Sequence, residues 1–443
     1  MKLIMARRKL LWLIWMIVIL LAQCGISSQS YAQTLSPNAT VSLLTYSPSN
    51  QLYTAFGHSA LRIQDPVNSL GDTVATVTPL GGTPLGGTPL DMVYNYGTFD
   101  FDEPGFYFKF IRGKLNYKLS AYDFRYVEVE QLQRQMNVRE QIFDLTLAQK
   151  QALFDFLNVN LLPENRFYLY DFFYDNCATR IRDAFEVVLG DSLQLDTSFV
   201  AFEERKTFRQ LVDDYMVPQP WGDLGIDLAL GVGIDQPASS YHYMFLPDYL
   251  AESFEGSTLI RNGQMIPLVK QDEVIMKGAQ EVSEPPQYIH PRTDIPLWTN
   301  PRGIFIGVFA LFLVWTILTR NQQPTHWPDI IVFSLIGLLG ILLLVLWLAT
   351  DHQTTKENWN LLWAHPLHLF TAFLLMRKQL GIGAKLYFLV NGFFYLGLIP
   401  ASEVLPQEYH PAVIPLIVLI AFRYFYKYHQ ISLAPRVPSP SVK

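Results

Sequence analysis

The chain has 443 residues, too many for one ordinary core, and half of them are apolar while only 16% are charged, which is lean for a soluble protein. Its formal charge of -6 is small and scattered. With no basic run beyond Arg7-Arg8-Lys9 and no basic stretch interleaved with aromatics, nucleic acid is excluded as a partner.

In chain order, the first element is a leader. Lys2, Arg7, Arg8 and Lys9 precede an apolar run from Leu10 to Ala22, and Ser30-Tyr31-Ala32 has the small-x-small form of a signal-peptidase site. A signal peptide over 1–32 and a mature start at Gln33 are expected. Cys24 is assigned to the leader, because Gln23 fills the preceding position where lipidation needs a small residue. Cys177 is then the sole mature cysteine, so no internal disulfide can form. In an oxidising envelope such a thiol is either buried and inert or kept for its reactivity.

Residues 33–280 read as an α+β domain. Thr40–Tyr46, Ser59–Ile63, Met92–Tyr96 and Tyr126–Val129 are expected strands. Between the second and third of these a repeat runs from Thr78 through Thr83 and Thr88 to Leu90; its Pro-Leu-Gly-Gly units suit a surface hairpin loop. Thr146 and Gln149 form a capping box ahead of Leu153, Leu157 and Leu161 at helical spacing, and Pro163 marks the end of that helix. A second helix is expected from Ala178 to Leu189, with Ile181, Ala184, Phe185 and Val188 in one stripe, Asp175 or Asn176 as N-cap and Gly190 as the stop.

Pro285, Pro286, Pro291, Pro296 and Pro301 mark a linker over 281–301. Residues 302–428 then carry apolar runs at 303–318, 330–349, 361–376, 384–400 and 412–422, read as an all-α transmembrane domain of five helices. With residues before Pro301 outside, the basic connector from Arg377 to Lys385 and the tail at 429–443 fall inside. The loops left outside are acidic (Asp351, Glu357, Glu403, Glu408 against Lys356), as the positive-inside rule requires. The expected location is a bacterial inner membrane, multi-pass, with a periplasmic N-terminal domain and a cytoplasmic C-terminus.

Two local patterns carry chemistry. Phe56-Gly57-His58-Ser59 places a histidine after a glycine at a strand start, and Tyr174-Asp175-Asn176-Cys177-Ala178-Thr179-Arg180 places Cys177 in the first turn of a helix. There the helix dipole and free N–H groups favour a thiolate and can hold an oxyanion. A thiolate nucleophile needs a base, and histidine titrates near neutrality. His58 is the one exported histidine that opens an expected strand, with His242 and His290 remaining open. The aromatic run Phe167–Tyr174 reads as core packing, and Arg180, Arg182 and Asp183 as a solvated or ion-paired helix face. His352, His365, Glu403, Glu408 and His410 gather at the outer edge of the spans without zinc-site spacing, so neither metal nor cofactor is expected.

The order His before Cys resembles the circularly permuted branch of the papain-like superfamily, which includes NlpC-type cell-wall peptidases and lecithin-retinol acyltransferase. That resemblance implies a permuted papain-like fold for the exported domain and a third polar residue, on the next strand, that orients the imidazole. Asn95 in Val93-Tyr94-Asn95-Tyr96-Gly97 is the match, with Asp100 as the substitute. Together with Asp351-His352 and Asn358-Trp359-Asn360-Leu361-Leu362-Trp363, these motifs resemble the Lnb-type lipoprotein transacylases over nearly the whole mature chain. The implied activity is acyl transfer from a diacylglyceryl-cysteine lipoprotein to its own N-terminal amine through a thioester on Cys177, with membrane lipid or lipoprotein as substrate. The competing readings are a papain-like peptidase or amidase of the cell wall, and a non-catalytic membrane scaffold with an inert Cys177.

Overall fold

The computed structural model describes residues 34–49, 52–69, 89–99, 102, 104–105, 108–109, 112–134, 136–278, 296–320, 325–377 and 380–433. The expected leader, the Thr78 repeat up to Thr88, Asp100, His290, most of the proline-rich linker and the tail beyond residue 433 lie outside them.

The exported part is built on one antiparallel sheet. Its strands are β1 (Thr40–Tyr46), β2 (His58–Ser69), β3 (Pro89–Thr98), β4 (Asn116–Asp123), β5 (Val138–Phe143) and β6 (Phe167–Leu169), joined late by β10 (Val269–Met276) in the order β10-β5-β1-β2-β3-β4-β6. A small sheet of β7 (Leu193–Gln194), β8 (Thr258–Arg261) and β9 (Gln264–Pro267) stands apart. Side chains of period two divide the large sheet between two cores. On one face Leu43, Leu61, Ile63 and Tyr94 pack against α2 (Leu147–Leu161), α3 (Cys177–Leu189) and α7 (Pro247–Gly256). On the other, Leu44, Ala60, Val93 and Tyr122 meet Val127 of α1 (Arg125–Arg134).

The helix α1 corrects the strand expected at Tyr126–Val129. The Asp123 carboxylate accepts from Arg125 N at 2.9 Å and starts a turn, and the following Glu128, Glu130, Gln131 and Arg134 are good helix formers. A four-residue apolar run does not outweigh that continuation. In α2 the Thr146–Gln149 capping box forms as expected.

A third core joins α4 (Phe208–Met216), α5 (Pro220–Ala229) and α6 (Ser240–Tyr243). Inside it Arg209, 1% exposed, pairs with Asp227 and Asp235. These carboxylates hold a loop that docks on the membrane part. Asn358 Nδ2 donates to Leu228 O at 2.7 Å, Asn360 Nδ2 to Asp227 O at 3.1 Å, Gln407 Nε2 to Leu230 O at 3.1 Å, and Gly231 N to Thr354 O at 2.7 Å.

Among the described residues four helices are long and apolar enough to cross a bilayer: α8 (Pro301–Thr319), α9 (Trp327–Leu348), α11 (Ile382–Ala401), and α12 (Ile414–Leu433) with the turn at Pro411 before it. The fifth expected span, at 361–376, is not one long helix. It is a 3-10 turn at Trp359–Leu362 followed by α10 (His368–Leu375), whose eight residues reach only about 12 Å. Pro366 interrupts the run; within it Asn360 accepts from Trp363 Nε1 at 2.9 Å and the Trp363 carbonyl bonds His368 Nε2 at 3.0 Å, while Asn360 Nδ2 reaches Asp227 and His368 Nε2 also meets the Tyr395 hydroxyl at 2.9 Å.

Candidate active site

The site lies where the start of β2 meets the N-terminus of α3. Gly57 has φ +71, and a Cβ there would stand 2.6 Å from Tyr46 O, so only glycine lets the chain turn into β2 this tightly. His58 thereby becomes the first residue of the strand, paired with Tyr46. Cys177 is the first residue of α3 and 9% exposed.

Asn176 holds the helix start rigidly. Its Oδ1 accepts from Ala178 N at 2.9 Å and Thr179 N at 3.0 Å, while Thr179 Oγ1 accepts from Asn176 N at 2.8 Å. Its Nδ2 donates to Phe172 O at 2.8 Å and Phe245 O at 2.7 Å, tying the cap to the neighbouring core. Of the two N-caps foreseen, Asn176 serves; Asp175 instead pairs with Arg180.

Burial pushes the Cys177 thiol up, but the charge of His58, its hydrogen bond to the sulfur, and the N–H groups of Ser59 and Ala178 outweigh this and hold it below the ordinary range. His58 shows the reverse balance. Burial lowers it, and the thiolate charge, the bonds to Cys177 and to Asn95, and more distant Glu130 raise it overall. The two groups thus favour a thiolate–imidazolium pair. His58 Nε2 lies 2.8 Å from Asn95 Oδ1, which leaves Nδ1 as the ring nitrogen for the sulfur. Gly97, φ +94, closes the site on the β3 side: a Cβ there would be 3.8 Å from Cys177 Cβ and 3.9 Å from His58 Cε1.

An aromatic wall flanks the cysteine. Tyr96, Tyr117, Tyr168 and Tyr170 share its core, with Tyr117 and Tyr170 stacked at 4.3 Å. The Phe167–Tyr174 run divides, since Tyr168 and Phe173 are buried while Phe167, Leu169 and Tyr174 are exposed. Arg180 lies 4.1 Å over the Tyr168 ring. Of the solvated or ion-paired face, Arg182 takes the ion-paired form: it is 7% exposed, pairs with Asp183 and covers the Tyr241 ring.

Cys177, His58 and Asn95 are therefore brought together, and His242 is elsewhere, bonded to Ser239 and packed on Phe208 and Tyr174. Sequence reasoning missed Tyr122, which accepts from Asn95 Nδ2 at 3.0 Å. Its signal was position only, a tyrosine on the strand beside β3. Among the described residues no group of three or more His, Cys, Asp or Glu is placed to hold a metal ion.

The family model for the Lnb N-terminal periplasmic domain matches residues 27–214, and that for the Lnb transmembrane domain matches residues 293–433. No curated protein and no solved structure matches the chain.

Proposed function

The chain belongs to the Lnb family, carrying both its periplasmic and its transmembrane domain, and from that premise we propose that it is a cysteine-dependent acyltransferase of lipoproteins at the bacterial inner membrane. Cys177 is the nucleophile, His58 its base and Asn95 the residue that orients the imidazole. The observation that carries this reading is the depressed Cys177 thiol beside His58, in a domain docked on membrane-spanning helices. The permuted papain-like relationship fits the His-before-Cys order, and the cytoplasmic C-terminus fits the basic connector from Arg377 to Lys385, with Arg377 following α10.

In the first half-reaction the Cys177 thiolate attacks an ester carbonyl of the lipid-linked substrate. A C–S bond forms, the C–O bond of the ester breaks, and the departing alkoxide takes the proton held on His58. In the second, an amine attacks the thioester. Its proton passes to His58, an amide forms, and the thiolate is released. Ala178 N, Thr179 N and Arg180 N are already bonded to Asn176, so at the start of α3 the Cys177 N–H is the backbone donor left for the carbonyl oxygen in both tetrahedral intermediates.

The test is intact-mass spectrometry of the purified full chain after incubation with a diacylated lipopeptide. An acyl adduct on Cys177, absent in Cys177→Ala, and an N-acylated lyso product are expected. Release of cell-wall peptides without any change in the lipopeptide would transfer the assignment to a peptidase, and full turnover by Cys177→Ala would remove the nucleophile.

A further inference from the structure

Beyond the Cys177–His58–Asn95 set lies one more polar contact that the reaction as drawn does not use. Asn95 Nδ2 donates to the Tyr122 hydroxyl at 3.0 Å, from the face of the sheet where Tyr122 is 5% exposed. An asparagine amide has one accepting and one donating end, and which end faces the histidine decides which imidazole proton pattern is served.

The thiolate–imidazolium pair makes both ring nitrogens donors. Nε2–H then needs an acceptor, which Asn95 supplies only with Oδ1 turned toward His58, as observed at 2.8 Å. That orientation points Nδ2 away from the histidine, where its protons need an acceptor of their own in a partly buried setting. The Tyr122 oxygen is that acceptor. In the flipped amide Nδ2 would face Nε2 and require a lone pair there. The ring proton would move to Nδ1, against the sulfur, and the imidazole could no longer take a proton from the thiol.

Resting on the reading that Cys177 and His58 perform the chemistry, we propose that Tyr122 is a positioning residue: its hydroxyl holds the Asn95 amide in the one orientation that supports the charged pair. Burial raises the Tyr122 phenol to about 12, so the hydroxyl stays neutral throughout the working range. Tyr46 extends the same row, its ring 5.7 Å from that of His58.

Tyr122→Phe keeps the ring and removes only the hydroxyl, and with it the acceptor for Asn95 Nδ2. In the full-length protein, with a diacylated lipopeptide as substrate and iodoacetamide as thiol probe, it is expected to lower kcat roughly 3- to 10-fold, the worth of one net hydrogen bond, with KM unchanged. The apparent pKa of Cys177 alkylation should move upward. The decisive background is Asn95→Asp. A carboxylate presents an oxygen on both sides and has no orientation to hold, so adding Tyr122→Phe to Asn95→Asp removes only a hydrogen bond donated to that carboxylate and should cost less than it does beside Asn95. Unchanged kcat and alkylation in Tyr122→Phe would overturn the proposal, and so would an equal loss in both backgrounds, which is the mark of a packing defect. Turnover by Cys177→Ala would instead sink the underlying reading and leave the alkylation profile of Tyr122→Phe to report on the pair directly.

Discussion

Replacing Asn176 with alanine tests how the nucleophile is held. The side chain is 3% exposed and makes four hydrogen bonds, two as acceptor to the first N–H groups of α3 and two as donor to the Phe172 and Phe245 carbonyls. Loss of an N-cap costs about 0.5–2 kcal/mol, and each buried carbonyl left without a partner costs about 1–3 kcal/mol. Even the lower ends sum to roughly 2.5 kcal/mol, which lowers the melting temperature of a domain this size by about 5–10 °C. Asn176→Ser restores the cap oxygen and not the two donors, so it should fall between wild type and alanine. The assay is thermal unfolding of the full chain in detergent, read by near-ultraviolet circular dichroism, with iodoacetamide alkylation of Cys177 in parallel. If Asn176→Ala melts within about 2 °C of wild type, the cap does not anchor the site in the way its geometry indicates.

Two further outcomes are expected. Gly97→Ala should destabilise the chain by about 1–3 kcal/mol and reduce turnover, because φ +94 strains any L side chain even though 3.8 Å of room exists beside Cys177; a fully active, equally stable variant would show that β3 relaxes freely. Asp248, 4% exposed, is raised by burial to about 6 against the hydrogen bond from Tyr215, so the folded state binds its proton more tightly than the unfolded chain does. Stability is then full below about pH 4 and declines until about pH 6, by roughly 3 kcal/mol, and this decline should vanish in Asp248→Asn; parallel pH–stability curves would contradict the shift.

What could be read in advance followed from local signals. A glycine before a strand and a capped helix start place His58 and Cys177 at the ends of their elements, and the alternation in β3 separates Asn95 from Tyr94 and Tyr96. What was not read in advance has a different origin. The Tyr126–Val129 segment was decided by residues beyond the apolar run, and the helix within 361–376 is shortened by Pro366. Tyr122 is a neighbour of Asn95 only once the β3–β4 register, Asn95 opposite Ser120, is known. The burial of Arg182 depends on Tyr241, 59 residues away, which no window along the chain contains.

The docking loop between Asp227 and Asp235 has a consequence for how the chain is made. Its acceptors and donors find partners at Thr354, Asn358, Asn360 and Gln407, separated from it by up to 177 residues. Those partners sit on connectors that reach the outer side only after the helices flanking them have been threaded into the bilayer. The exported domain therefore finishes translocation with this loop unmatched, and the last hydrogen bond, from Gln407, has to wait for the connector between α11 and α12. Assembly of the mature molecule ends at its membrane insertion step, so a lesion in the final two helices would be felt as incomplete closure of a domain synthesised long before them.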